Sequence, residues 1–283
     1  GGTFGNTGTI TGATTVSGGA LTTTGTLGGG LTNSATVNAN GGAVNGAIAN
    51  NAGAFNVGGT VISNNTFANA SGAIFAVAGT GSYTLQGMLT NAGLLTIANG
   101  GLLDATAGGL TNTSSGTVTV AQGGTLRDDL NNAGTVTNNG NYFANVASNS
   151  GSVANTATGT WTGNVASNSA AIGNAGLWTG NVLSNTGSLS NSGAWTGSIV
   201  TSSTFANAVG ATVSGLVTNS GTTTNAGTFN GGLTNTAGTT TNNGVISGPV
   251  TVSGGILTGS GRTANLTVSG GIFAPGNGTA GSS

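Results

Sequence analysis

Apolar residues recur along this chain at about every seventeenth position, and mostly small or polar residues fill the spaces between them. The first apolar residue of each repeat is here called the anchor, and the step from one anchor to the next varies by only one position either way over most of the chain. So short a period, carried along most of a chain, is typical of a solenoid. The anchors are Ile10, Leu27, Val44, Leu85, Leu126, Phe143, Trp161, Trp178, Trp195, Val213, Phe229 and Ile246.

Two further apolar columns follow the anchors, one four residues later and a less strict one ten or eleven residues later. Three such columns predict a coil with three faces, each of which sends one bulky side chain into a shared core. The second column contains Leu31, Ile48, Leu89, Leu130, Val165, Val182, Ile199, Val217, Leu233 and Val250. The third contains Val37, Leu95, Val136, Val153, Ile172 and Leu189.

The segments that contain these apolar columns are predicted to form short β-strands. Glycine accounts for 58 of the 283 residues, each glycine disfavours a helix by about 1 kcal/mol, and no apolar stripe has the helical period. With one period per turn, each strand pairs with its equivalent in the next turn, so the strands are parallel. The sequence therefore predicts an all-β fold, a parallel β-helix of about 16 turns in one repeat domain spanning residues 1–283.

One part of the repeat is longer. The anchors Val44, Leu85 and Leu126 are equally spaced, and each of these two steps exceeds two periods, which predicts two longer turns in each gap. The most irregular region covers about residues 58–110. A repeated scaffold places binding on such insertions or on its faces.

Glycine and asparagine form columns of their own. Glycine two residues after an anchor predicts corners with positive φ and close backbone approach. Stacked asparagine amides are predicted to hydrogen-bond from turn to turn, and the alternative is a polar stripe that binds sugar. The glycines are Gly29, Gly46, Gly87, Gly163, Gly180, Gly197, Gly215, Gly231 and Gly248. The two asparagine columns are Asn33, Asn91, Asn149, Asn168, Asn185, Asn219 and Asn235, and Asn155, Asn174, Asn191, Asn225 and Asn242.

Charge is almost absent from the chain, which has two basic and three acidic side chains and no histidine or cysteine. A charge in a repeated column would face its own copy one layer away, and like charges directly opposite are destabilising. Without a basic stripe we expect no nucleic-acid partner. A histidine-dependent hydrolytic triad and a Cys or His metal site are excluded, and no cofactor is expected. The absence of cysteine fits an exported protein.

The candidate catalytic groups are the three carboxylates. The separation of Asp104 and Asp128 is longer than one period and well short of two, so it is not a simple one-turn offset. The segment Arg127–Asp129 falls where glycine usually marks a corner, which predicts a solvated loop with a local Arg–Asp pair. Carboxylate-based cleavage of a glycan by Asp104, Asp128 and Asp129 is the alternative.

Two other columns leave alternatives open. Trp161, Trp178 and Trp195 stand in a column that is apolar in every other turn, which favours core packing over an exposed aromatic ladder for glycans. Paired hydroxyls resemble the regular faces of ice-binding solenoids, although Ala171 and Gly173 interrupt them. These pairs are Thr135/Thr137, Ser188/Ser190, Thr222/Thr224 and Thr239/Thr241.

The C-terminal stretch carries a family resemblance. The phrase Gly270-Gly-Ile-Phe-Ala-Pro-Gly-Asn277, near the end of the stretch Gly254–Gly278, resembles the passenger-associated repeat of autotransporter proteins. The looser repeats over the rest are similar to autotransporter passengers and large adhesins. The resemblance implies a right-handed β-helix, secretion across a Gram-negative outer membrane and surface display, often for adhesion.

The leading hypothesis is a non-catalytic extracellular or cell-surface passenger or stalk that serves adhesion or acts as a spacer. A self-assembling extracellular fibre subunit is the alternative, and a β-helical carbohydrate-active enzyme is the third. The expected partner is a host or neighbouring cell surface, including its glycans. End-to-end self-association is also expected, because Gly1 and Ser283 fall within the repeat region. Membrane attachment is expected only through a translocator outside this chain.

Overall fold

The computed structural model describes residues 1–276, and this part of the chain is a parallel β-solenoid without helices. It divides into two compact units, one formed by Gly1–Asn145 with Gly151–Val153, the other by Val146–Ser150 with the chain from Ala154 onward. Over both units the chain makes about 16 turns, most of them within one residue of the predicted period, and several turns of the first unit are longer. The predicted fold class is confirmed.

Each regular turn of the first unit contributes one short strand to each of three faces. The first face contains Thr3–Asn6, Ala20–Thr23, Thr36–Ala39, Ala54–Val57, Ile74–Val77, Leu94–Ile97, Thr117–Val120 and Thr135–Asn138. The second contains Thr9–Ile10, Thr26–Leu27, Gly42–Val44, Thr60–Ser63, Ser82–Leu85 and Leu102–Asp104. The third contains Thr14–Val16, Leu31–Asn33, Ile48–Asn50, Phe67–Asn69, Leu89–Asn91 and Leu110–Asn112.

Three strands depart from this scheme. The strand Thr125–Asn132 runs through the second and third faces without a break. The strands Asn141–Asn149 and Ser152–Asn155 each contribute residues to both units.

The second unit repeats the three-face arrangement. Its first face contains Ala171–Asn174, Ser188–Asn191, Thr204–Asn207, Thr222–Asn225, Thr239–Asn242, Ile256–Gly259 and Ile272–Pro275. The second contains Thr160–Thr162, Leu177–Thr179, Ala194–Thr196, Thr212–Val213, Thr228–Phe229, Val245–Ile246 and Arg262–Thr263. The third contains Val182–Asn185, Ile199–Thr201, Val217–Asn219, Leu233–Asn235, Val250–Val252 and Leu266–Val268.

Nearly all strands pair in parallel and in register, so that each residue lies beside its equivalent in the next turn. Leu21, for example, is opposite Val37, and Leu189 is opposite Phe205. Because side chains alternate between the two sides of a strand, this register stacks apolar residues inward and Thr, Ser and Ala outward. The second and third predicted columns are buried throughout.

The anchor column needs two corrections. Tyr142 is fully buried and Phe143 is 41% exposed, so Tyr142 is the core residue of its turn. Leu126 aligns through Leu103 with Tyr83, not with Leu85. In a strand a shift of one residue turns a side chain from the core to the surface, and a shift of two moves it to the next inward position.

The glycine corners are sites of close backbone approach. A Cβ on Gly87 would lie 2.4 Å from the carbonyl carbon of Asn65 in the preceding turn, so only glycine fits. Positive φ is less general than predicted. In this column Gly46 adopts a φ of +83°, and Gly163, Gly180 and Gly197 also have positive φ.

Candidate functional site

Four of the five charged side chains of the chain lie in consecutive turns of the first unit. They are Asp104, Arg127, Asp128 and Asp129, and the remaining one is Arg262 in the second unit. All other outward positions of the first unit carry uncharged side chains. This stretch is therefore where the surface chemistry departs most from that of the repeat.

The backbone also departs from the repeat here, because a corner is missing. Asp104 pairs with Arg127 and Leu110 pairs with Leu130, so the five residues 105–109, which include the corner glycine Gly108, correspond to only Asp128 and Asp129 in this turn. Residues 125–132 form one extended strand whose side chains alternate between core and solvent. The predicted solvated loop at Arg127–Asp129 was wrong for this reason.

A row of outward side chains crosses three turns at this point. Asp104 lies directly opposite Arg127 in strand register, which makes this turn several residues longer than the regular period. The guanidinium carbon of Arg127 lies 5.3 Å from the ring centroid of Phe143 in the following turn. At this distance the cation is attracted to the ring face. The cation of Arg127 is thus held over Phe143 and not in the Arg–Asp pair expected within its own segment.

Hydrogen bonds orient the two outward carboxylates. Asn145 Nδ2 donates to Asp129 Oδ1 over 3.1 Å. Asp104 Oδ1 accepts from the backbone nitrogen of Thr106 at 3.1 Å and from its hydroxyl at 2.7 Å. We refer to Asp104, Arg127, Asp129, Phe143 and Asn145 together as the outer patch.

A shallow depression of about 220 Å³ adjoins the outer patch. Residues 106–111 form one wall, which includes the insertion at residues 106–109. Met88, with 47% of its surface exposed, lines another, and Asp129 and Asn131 form the rest. The depression therefore shares Asp129 with the outer patch.

Asp128 points the other way, into the core. It is only 4% exposed, and Tyr142 donates its phenolic hydrogen to Asp128 Oδ2 over 2.9 Å. Oδ1 is buried without a hydrogen-bond partner. Loss of solvation raises the pKa of Asp128 well above its ordinary value, against the opposing effect of the Tyr142 hydrogen bond. Burial and the neighbouring carboxyl likewise raise the pKa of Tyr142.

The sequence placed Asp104, Asp128 and Asp129 together as candidate carboxylates, and the structure separates them. Asp104 and Asp129 face solvent, whereas Asp128 lies on the opposite side of the sheet and is enclosed. Two carboxyl groups that cleave a glycosidic bond must flank the same substrate. Asp128 does not meet that requirement with either neighbour.

We expect the stability of the protein to fall as the pH rises above about 4, because Asp128 is protonated in the folded state at pH values where it is ionised in the unfolded state. Below the unfolded-state pKa both states carry the proton and no effect arises. Between the unfolded-state pKa and the folded-state pKa of Asp128, the free energy of unfolding falls by about 1.4 kcal/mol per pH unit. Asp128→Asn, which stays neutral, should remove this dependence in thermal melts between pH 4 and 8.

The control for this pH dependence is Asp104→Asn, because Asp104 is outward and half-exposed. That variant should keep the slope of the wild type. A slope that survives in Asp128→Asn would show that another group causes it.

The three tryptophans belong to the core, as predicted. Trp161, Trp178 and Trp195 are fully buried, and their rings stack at centroid distances of 4.6 and 4.8 Å. The indole nitrogens of Trp178 and Trp195 donate to the carbonyl oxygens of Gly163 and Gly180. With no exposed ring, this column does not offer a stacking surface to glycans.

The asparagine columns form buried hydrogen-bond ladders, again as predicted. In the first unit the side-chain amides bond from Asn33 through Asn50, Asn69, Asn91 and Asn112 to Asn132, at 2.7–2.8 Å per step. In the second unit a ladder runs from Asn155 through Asn174, Asn191, Asn207 and Asn225 to Asn242, at 2.8–2.9 Å. These amides are enclosed, so they form no sugar-binding stripe.

The paired hydroxyls lie on the outside of the first face. Thr222 is opposite Thr239 and Thr224 is opposite Thr241, so the rows are in register. The array is short, because Ala171 and Gly173 stand opposite Ser188 and Ser190. It is a regular polar surface over a few turns only.

Comparison of the chain with protein-family models and with curated proteins gives no match. Within residues 1–276 no helix has the length and apolarity needed to cross a bilayer. The same residues contain no group of three or more His, Cys, Asp or Glu side chains arranged to hold a metal ion. What these observations define is a β-helix repeat protein with one chemically distinct patch.

Proposed function

We propose that this protein is a non-catalytic β-helical passenger or stalk that is displayed outside the cell and mediates adhesion. The observation that carries this proposal is the confinement of outward charge in the first unit to one patch on an otherwise uncharged, regular scaffold. In solenoid proteins the repeat builds the support, and departures from the repeat carry the contacts with partners.

The outer chemistry supports a role outside the cell. Thr, Ser and Asn make the faces wettable without the repulsion that repeated charges would produce, and no cysteine is present that could form a disulfide during export. The phrase that resembles the passenger-associated repeat begins at Gly270 and includes the strand Ile272–Pro275, which pairs with Ile256–Gly259. Its last residue, Asn277, lies outside the described residues.

Adhesion can be tested by displaying the chain on a host cell that does not adhere on its own. We expect displaying cells to attach to epithelial or bacterial cell layers several-fold more than cells that display an unrelated β-solenoid of similar length. Equal attachment by both populations would contradict the adhesive role and leave a spacer role.

We expect no product when the protein is incubated with a panel of neutral and acidic polysaccharides. Acid–base catalysis needs positioned groups that exchange protons, and the enclosed Asp128 is not reachable by a polymer. Reducing-end assays and mass spectrometry would detect any cleavage. Product release that disappears in Asp104→Asn or Asp129→Asn would establish an enzyme instead.

A further inference from the structure

We propose that the outer patch is a binding site for a neutral glycan. This inference rests on the proposed adhesive function and names the chemistry of its partner. It depends on where the patch lies, on its balance of charge, and on the groups that it presents.

The patch lies where the solenoid is least regular. The insertion at residues 106–109 stands beside it, and the loss of the corner at Asp128 gives an extended strand in place of a bend. Side chains from three successive turns, Asp104, Arg127 and Phe143, therefore share one surface. A ligand lying across the strands would contact all three turns together.

The charge balance of the patch disfavours an anionic ligand. Arg127 is its one cation, and Asp104 and Asp129 are its two anions. A phosphorylated or polyanionic partner would meet a net negative surface. The described residues also lack the grouped acidic ligands that a metal ion would need.

The groups in the patch match the hydroxyls of a sugar. A hydroxyl both donates and accepts, carboxylates accept in two directions, and guanidinium and amide groups donate. Charge-assisted hydrogen bonds of this kind are stronger than those between neutral partners. Arg127 is held by the Phe143 ring and the Asp129 carboxylate by the Asn145 amide, so less freedom is lost on binding.

The patch and the adjoining depression also offer apolar surface to the C–H face of a sugar ring. Phe143 exposes 41% of its surface beside these polar groups, and Met88 exposes 47% in the adjoining depression. The depression, at about 220 Å³, is smaller than the pockets of about 300–1,000 Å³ that enclose drug-sized ligands. It suits a single ring or the end of a chain, with the next sugar lying beside the Arg127–Phe143 pair.

The test is binding of the whole chain to an array of neutral and acidic glycans, followed by titration of the best neutral ligand. We expect Arg127→Ala and Phe143→Ala each to weaken binding about tenfold or more, as loss of a central contact does. Arg262→Ala is the matched control, because Arg262 is exposed on the second face of the second unit. That variant should bind as the wild type does.

Thermal melts of each variant separate a binding defect from a folding defect. Arg127 and Phe143 are both exposed. The melting temperatures of Arg127→Ala and Phe143→Ala should therefore stay close to that of the wild type. Asp129→Asn, which keeps the size of the side chain, is a second probe and should also weaken binding. The proposal is overturned if no neutral glycan binds, if only acidic glycans bind, or if the patch variants bind like Arg262→Ala.

The same variants, displayed on cells, separate this inference from the proposed function. Attachment that persists in Arg127→Ala and Phe143→Ala would leave the adhesive function in place and refute the glycan site. Glycan binding by the purified chain without attachment of displaying cells would support the site and refute the adhesive role.

Discussion

Replacing Trp178 by alanine is expected to destabilise the second unit by about 3–5 kcal/mol, the range for deleting a large buried aromatic side chain. Trp178 is fully buried between the stacked rings of Trp161 and Trp195. Its removal leaves a cavity and also the Gly163 carbonyl without its indole donor. Because the turns of a solenoid support mainly their neighbours, the loss should centre on these turns.

Denaturant unfolding followed by circular dichroism measures this loss, and Leu177→Ala provides the matched control. Leu177 is the preceding residue in the same strand and is 41% exposed on the outside. Its replacement should change the unfolding midpoint little. Equal effects of the two substitutions would mean that the tryptophan column is not the core of this unit.

Replacing Asn50 by alanine is expected to cost about 2–4 kcal/mol in the first unit, because it interrupts the asparagine ladder and leaves buried polar groups without partners. Asn50 accepts a hydrogen bond from Asn33 and donates to Asn69 and to the carbonyl oxygen of Ile74. Each buried polar group left without a partner costs about 1–3 kcal/mol. Since Asn50 is fully buried, bulk solvent does not reach the groups that lose their partners.

The neighbouring residue gives the control for the ladder. Asn51 is exposed just beyond the same strand, and Asn51→Ala should leave the unfolding midpoint nearly unchanged. Hydrogen exchange should also show faster exchange at Asn69 and Ile74 in Asn50→Ala than in Asn51→Ala. A ladder variant as stable as its control would mean that the stacked amides contribute nothing to folding.

The sequence was sufficient to predict the fold because the apolar columns, the asparagine columns and the period all predict the same structure. Leu31, Ile48 and Leu89 mark one inward column, Asn33 and Asn91 mark another, and parallel pairing in register follows from the period. In such a chain a prediction for one turn can be compared with the equivalent positions of the neighbouring turns. The three-faced core, the buried tryptophans and the amide ladders were all predictable in this way.

The candidate site was not predictable from the repeat, since it lies where the repeat fails. The lengthened turn places Asp104 opposite Arg127, an offset that the regular period does not suggest. The alternation of Leu126, Asp128 and Leu130 with Arg127 and Asp129 was the available signal for an extended strand. It was outweighed by the glycine column, which predicted a corner at that point.

The core partner of Asp128 was missed for a related reason. Phe143 is more apolar than Tyr142, so the pattern favoured Phe143 as the inward residue. The fold instead buries Tyr142, whose hydroxyl bonds to Asp128, and leaves Phe143 outside beside Arg127. A polar pair in the core and an aromatic ring on the surface both contradict simple apolar patterning, and both occur in the long strands Thr125–Asn132 and Asn141–Asn149.

Antibody labelling of intact cells that produce the chain tests the proposal that it is a passenger or stalk displayed on the cell surface. Antibodies raised against the purified chain should label intact cells as strongly as permeabilised cells, and protease added outside should remove the signal. Labelling that appears only after permeabilisation, with the protein protected from external protease, would contradict the account.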